Sequence, residues 1–100
     1  MSLQCKIPTD MREQLADDPF MQRCIMSVGM FCSGRVQWHH AFTYAGRRIN
    51  EIWALIPLCE WHHSREGTIR HIIDHFVVRR IKDFRATDDF RAKYPKSTLI

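Results

Sequence analysis

The chain has 100 residues, is 45% hydrophobic and 26% charged, and carries a formal net charge of +4. That composition excludes a disordered tail and a two-domain chain, because it supplies apolar residues for one modest core. It contains no apolar run of the roughly 18 residues a membrane span needs, and Gln4, Cys5, Lys6, Thr9 and Asp10 stand where a signal segment would be apolar, which predicts a cytoplasmic protein with no membrane partner.

Taken in chain order, Asp10 with Glu13 has the form of a capping box and predicts a helix from Asp10 to about Asp18. Pro19 restarts a helical turn that runs up to Cys24. Cys24 to Gly34, with Gly29, Cys32 and Ser33 inside it, reads as a loop or knuckle. Val36-Gln37-Trp38-His39 alternates apolar and polar residues, and Ile52 to Leu58 is a short apolar run, so both are expected to be strands. The glycine and polar residues of Ala45 to Asn50 predict an irregular loop between them.

Glu60 to about Glu66 is expected to form a helical turn ended by Gly67. Thr68 is expected to cap the longest helix, whose Ile69, Ile72, Ile73, Phe76, Val77, Ile81 and Phe84 recur at helical spacing. Thr87-Asp88-Asp89 caps a last helix stopped by Pro95, and Lys96 to Ile100 is a frayed tail. Trp38 and Trp53 are expected in the core, and Trp61 is open to a role on the surface. His71 and His75 fall on the solvated face of the long helix. Arg80 falls on its apolar face and is expected to snorkel.

Cys24, Cys32, Cys59 and His62 supply two pairs of ligands separated by a strand-and-loop insert, which suits a closed tetrahedral zinc. In a reducing compartment such cysteines are better read as ligands than as disulfides. Their alternative role is that of small buried hydrophobes. Cys5 is assigned no ligand role.

Consecutive residues on a strand point to opposite sides unless the strand ends there, so His39 and His40, at a strand-to-loop junction, can take different tasks, one ligating a cation and the other activating water. His63, beside His62, is expected to aim its ring back toward His39. Such a site suits hydrolysis of a phosphodiester, and the basic balance of the chain favours a nucleic-acid partner. Arg47, Arg48 and Arg65 are candidate phosphate contacts, since a planar guanidinium matches phosphate oxygens bidentately.

Trp38-His39-His40, Ala45-Gly46 with Ile49-Asn50-Glu51 and Trp53, Leu55-Ile56-Pro57-Leu58-Cys59 and His63 together resemble the HNH endonuclease family, most closely its small phage-encoded members. The resemblance runs from Cys24 to about Gly67. It implies an α+β fold, a small ββα-metal finger with a zinc knuckle flanked by N- and C-terminal helices. The whole of 1–100 would be one nuclease domain, with a core over about 24–67 and C-terminal helices over about 68–94.

The resemblance further implies that His39 and His63 hold one divalent ion (Mg, Mn, Ni or Zn), that His40 is the general base, and that Asn50 orients it. The position where the family more often carries that Asn holds Ala54. The implied activity is metal-dependent hydrolysis of DNA. The alternative is a non-catalytic zinc-braced module that binds DNA or a phage recombination or packaging protein.

Overall fold

The computed structural model describes residues 7–27 and 31–100. Cys5 and Gly29 lie outside the described residues. Helix α1 covers Thr9–Ala16, and its N-cap is Pro8 with no side-chain cap. The expected capping box therefore does not form. The extended Pro8 starts the helix early, and Asp10 instead sits in the first turn, where its charge complements the helix dipole. Asp18 does cap the next turn, Pro19–Gln22, accepting a hydrogen bond from the Phe20 N–H at 3.0 Å.

Strand β1 (Val36–His40) pairs antiparallel with β4 (Leu55–Cys59) in a register that sets Val36 against Cys59, Trp38 against Pro57 and His39 against Ile56. The second strand thus begins three residues later than its apolar run suggests. Ile52–Ala54 form a 3-10 turn in which Trp53 and Ala54 are buried, and an apolar run reports burial without distinguishing turn from strand. Pro57 is tolerated because β4 has one neighbour in a two-stranded sheet; its carbonyl accepts from the Ile25 N–H.

All five residues of β4 are buried. Alternation divides them between two packed faces. Leu55 packs with Leu15 and Met21, and Trp38 lies against that cluster. Ile56 and Leu58 pack in the larger cluster with Ile73, Val77 and Ile81. The latter three come from α3 (Arg70–Asp83), on whose expected stripe Phe84 alone is exposed, at 36%. His71 and His75 are exposed, as expected for the solvated face.

The connection from β1 to β4 is more ordered than an irregular loop. Thr43–Tyr44 (β2) pair with Arg47–Arg48 (β3) across Ala45 and Gly46, whose φ angles of 52° and 77° are those of a type I′ turn. Two-residue strands leave no periodicity in a sequence to detect. After β4 the chain enters α2 (Glu60–His63) directly. Gly67 does not end a helix but lies within a 3-10 turn over Glu66–Ile69. Nor does Thr68 cap α3. Its hydroxyl donates back to the Arg65 carbonyl at 2.8 Å, and the cap position belongs to Ile69.

Helix α4 (Thr87–Lys93) starts at Thr87, so Ala86 rather than Thr87 is its cap. Phe90 and Tyr94 join Phe42, Tyr44 and Trp53 in an aromatic cluster with ring centroids 5.1–6.4 Å apart. The tail is packed rather than frayed. The Lys96 N–H donates to the Tyr44 hydroxyl at 3.2 Å, and Leu99 and Ile100 lie against the core. Among the described residues no helix is long and apolar enough to cross a membrane.

Arg80 does not snorkel. It is buried, pairs with Asp18 at 2.7 Å, and lies between the rings of Phe20 and Phe84, 4.2 and 4.8 Å from their centroids. Among the described residues its Nε has no hydrogen-bond partner, and the contacts that offset burial of the guanidinium are the Asp18 carboxylate and the two rings. Removing one member of such a pair strands a charge, whereas an apolar isostere removes the problem. Asp18→Ala is expected to lower the unfolding free energy in urea by about 3 kcal/mol, and Arg80→Met by less than about 1.5 kcal/mol. Equal losses in the two variants would show that packing, not the charge, makes this contact stabilising.

Candidate functional site

The site is assembled where β4 turns into α2. Cys59 ends the strand and is the N-cap of the helix, its sulfur accepting from the His62 N–H at 3.4 Å. One helical turn then carries the His62 ring back onto the same sulfur. Cys24 arrives from the turn beside β4, fixed by the Ile25 N–H to Pro57 carbonyl bond of 3.1 Å. Cys32 arrives on the segment before β1, which is seated on α2 by the Trp61 N–H bond to the Ser33 carbonyl and by the Arg35 N–H bond to Glu60. Gly34 makes that seat possible. Its φ is +84°, and a Cβ there would fall 2.7 Å from Glu60 Cβ.

The result is a group, Cys24, Cys32, Cys59 and His62, whose ligand atoms lie within 4.8 Å of one another and which could hold a metal ion. The three Sγ to His62 Nδ1 distances are 3.5, 3.6 and 3.2 Å. A tetrahedral ion with metal–sulfur and metal–nitrogen bonds of about 2.3 and 2.0 Å requires about 3.6 Å between such atoms, so the donor set fits. Its electrostatics fit as well. Burial raises the Cys59 thiol, but N–H groups of His62 and Ser33 outweigh it and bring it down to about 6. Burial and the two neighbouring sulfurs push Cys32 up to about 12. Three thiols this close resist sharing negative charge, and a dication among them would remove that resistance.

The next residue, His63, looks the other way. Its Nε2 is 3.2 Å from Nδ1 of His39 on β1, and its Nδ1 faces Oε1 of Gln37 at 2.5 Å. Gln37 and His39 are two apart on one strand and so share a face. On its far side His39 Nε2 lies 2.5 Å from Glu66 Oε2, an ion-pair contact in which neither atom has a hydrogen-bond partner among the described residues. Burial lowers His39 to about 4 although Glu66 pulls the other way. The His39 imidazole in this contact is therefore neutral at neutral pH.

His40 ends β1, and its Nε2 is 2.8 Å from Asn50 Oδ1. An amide oxygen only accepts, so His40 carries its proton on Nε2 and leaves Nδ1 with a free lone pair. The loop holding Asn50 is itself held. The Ile49 N–H bonds to the Phe42 carbonyl, and neighbouring Glu51 receives Lys93 at 3.2 Å and the Tyr94 hydroxyl at 3.4 Å. Asn50 thus reaches His40 from the loop, while Ala54 is buried in the core.

The candidate phosphate contacts are less concentrated. Arg47 and Arg48 are exposed on β3. Arg65 is exposed beyond α2, with its guanidinium 3.4 Å over the Trp61 ring and bonded to the Trp61 carbonyl. Trp61 is 40% exposed, whereas Trp53 is buried and Trp38 is half-buried with its indole N–H on the Met21 carbonyl.

Gln37 and Glu66 are the two members of the site that sequence reasoning missed. Signals for both existed: Gln37 precedes His39 by two on a strand, and Glu66 follows His63 by three at helical spacing. In comparisons with known proteins, no family model matches the chain and neither a curated protein nor a solved structure matches it.

The lowered His39 has a consequence for stability. An unfolded histidine protonates near 6.5 and the folded one near 4, so through that window the unfolded chain binds more protons. Stability from the neutral ring is present above about pH 6.5 and is lost as pH falls toward 4. Urea midpoints of the native protein are expected to fall more steeply over this range than those of His39→Gln. Parallel slopes would assign the acid sensitivity to other groups.

Proposed function

We propose that the protein is a metal-dependent endonuclease of the HNH kind that hydrolyses phosphodiester bonds in DNA. In this reading His39 and His63 hold one divalent ion, His40 is the general base, and Cys24, Cys32, Cys59 and His62 hold a structural zinc. The observation that carries it is the division of labour at the end of β1. One histidine faces a second imidazole at 3.2 Å, and its neighbour is held by an amide at 2.8 Å with the opposite nitrogen free.

The donor distances suit an ion. Two imidazole nitrogens bound to one cation at about 2.1 Å each are about 3.0 to 3.4 Å apart across angles of 90 to 109°. A divalent ion there supplies electrostatic stabilisation of the charge that builds on the phosphate oxygens. The chain's own contribution is proton transfer. His40 Nδ1 accepts a proton from water as the water oxygen bonds to phosphorus and the bond from phosphorus to the leaving oxygen breaks. Asn50 fixes the ring by accepting a hydrogen bond from Nε2–H, so the tautomer needed for base catalysis is the one the loop favours. Arg47, Arg48 and Arg65 add positive charge on the surface, and the net charge of +4 favours a polyanion.

Nicking of supercoiled plasmid in the presence of magnesium, manganese or nickel tests the reading. Activity is expected to disappear with EDTA and to fall by about 100-fold or more in His40→Ala, with plasmid binding retained. Asn50→Ala is expected to show a smaller loss. Binding without cleavage under all three ions would instead identify a non-catalytic DNA-binding module. The structural zinc is tested separately. Protein purified without added metal is expected to contain about one zinc per chain, and Cys59→Ser is expected to lose both the zinc and most of the folded population.

A further inference from the structure

The two imidazoles that face each other at 3.2 Å are each gripped from behind by an acceptor. Behind His39 Nε2 stands the Glu66 carboxylate, and behind His63 Nδ1 stands the Gln37 amide oxygen. A neutral histidine has one N–H and one lone pair, and the partner of the N–H decides which nitrogen keeps the lone pair. If His39 placed its proton on Nδ1, it could donate to His63, but its Nε2 lone pair would then be buried 2.5 Å from a carboxylate oxygen, neither atom having a hydrogen-bond partner among the described residues. A lone pair facing a carboxylate oxygen that closely is repelled, whereas an N–H there is attracted by the carboxylate charge, so the proton belongs on Nε2. The same reasoning puts the His63 proton on Nδ1, toward Gln37.

We infer that Glu66 and Gln37 are positioning residues that lock His39 and His63 into the tautomers whose lone pairs, Nδ1 and Nε2, converge on one point. Two lone pairs at that distance repel each other and are reconciled by a cation between them. Neither Glu66 nor Gln37 touches that point, so each acts through the ring it holds. Glu66 is itself held in place. Arg70 lies 4.0 Å from its carboxylate while bonding to the Ala41 carbonyl at 2.9 Å and to Asp74 at 3.2 Å, which ties the carboxylate to the end of β1. Gln37 needs no such support because the β1 pleat already places it on the face of His39.

The inference rests on the ion-binding reading of His39 and His63, and two separate measurements keep their failures apart. Long-range proton–nitrogen NMR of the zinc-loaded protein at pH 7.5, with no further ion added, reports the tautomers. His39 is expected as Nε2–H and His63 as Nδ1–H. In Glu66→Ala the His39 preference is expected to be lost, and in Glu66→Gln, whose amide oxygen still accepts, to be retained.

Calorimetric titration of the same proteins with nickel ion is expected to show affinity reduced about 10- to 100-fold in Glu66→Ala and in Gln37→Ala, with Glu66→Gln closer to the native protein. A native His39 protonated on Nδ1, or nickel affinity within twofold of native in both alanine variants, would overturn the inference. The expected tautomers without any nickel binding would support the lock and reject the ion site.

Discussion

Cys59 holds two positions at once, last residue of β4 and N-cap of α2, and the rest of the site is measured from it. No loop intervenes between strand and helix, so the direction of the helix is dictated by the antiparallel pairing of β4 with β1. The cysteine sulfur accepts the His62 N–H and thereby satisfies one of the donors a helix start leaves open, while also serving as a candidate ligand. From this anchor the next turn of helix has a single arrangement available. His62 folds back onto the sulfur that caps it, and His63, about 100° further round, faces the strand across the sheet.

Adjacent histidines at two places in the chain are therefore separated by different physics. His39 and His40 take different partners because β1 ends at His40, where the chain leaves the ladder. His62 and His63 part because a helix advances around its axis. Each pair delivers one ring to the contact between β1 and α2, and its other ring meets Asn50 in one case and the three sulfurs in the other. A register slip of one residue between β1 and β4 would exchange His39 for His40 at that space and break both arrangements. The burial of all of β4 between two apolar clusters makes such a slip costly, so the packing of Leu55, Ile56 and Leu58 is what guards the geometry of the site.

Most of this was legible in the sequence because it rests on local rules. The paired strands lie within three residues of their expected limits, the stripe of Ile73, Val77 and Ile81 is the buried face of α3, and Cys24, Cys32, Cys59 and His62 do converge. What escaped depends on partners remote in the chain. Arg80 is buried because Asp18, 62 residues away, meets it, and the tail is packed because Tyr44 meets Lys96 across 52 residues. Caps were misjudged for another reason. Asp10, Thr68 and Thr87 are all good capping residues, yet Asp10 and Thr87 fall inside their helices and Thr68 falls before the cap position of α3, so none of the three stands at an N-cap.

The same distinction explains why Asn50, and not Ala54, meets His40. Ala54 is fully buried and its carbonyl accepts from Ala41, so a polar side chain there would have to be inserted into the core at the close of the β1–β4 ladder. Asn50 lies before that closure, where the short β2–β3 hairpin has turned the chain back toward the end of β1. Glu51, next to it, is fastened to α4 by Lys93 and Tyr94, and the aromatic cluster fastens α4 to Phe42 and Trp53. The C-terminal helix, remote in sequence from every histidine of the site, is in this way part of what keeps the amide against His40.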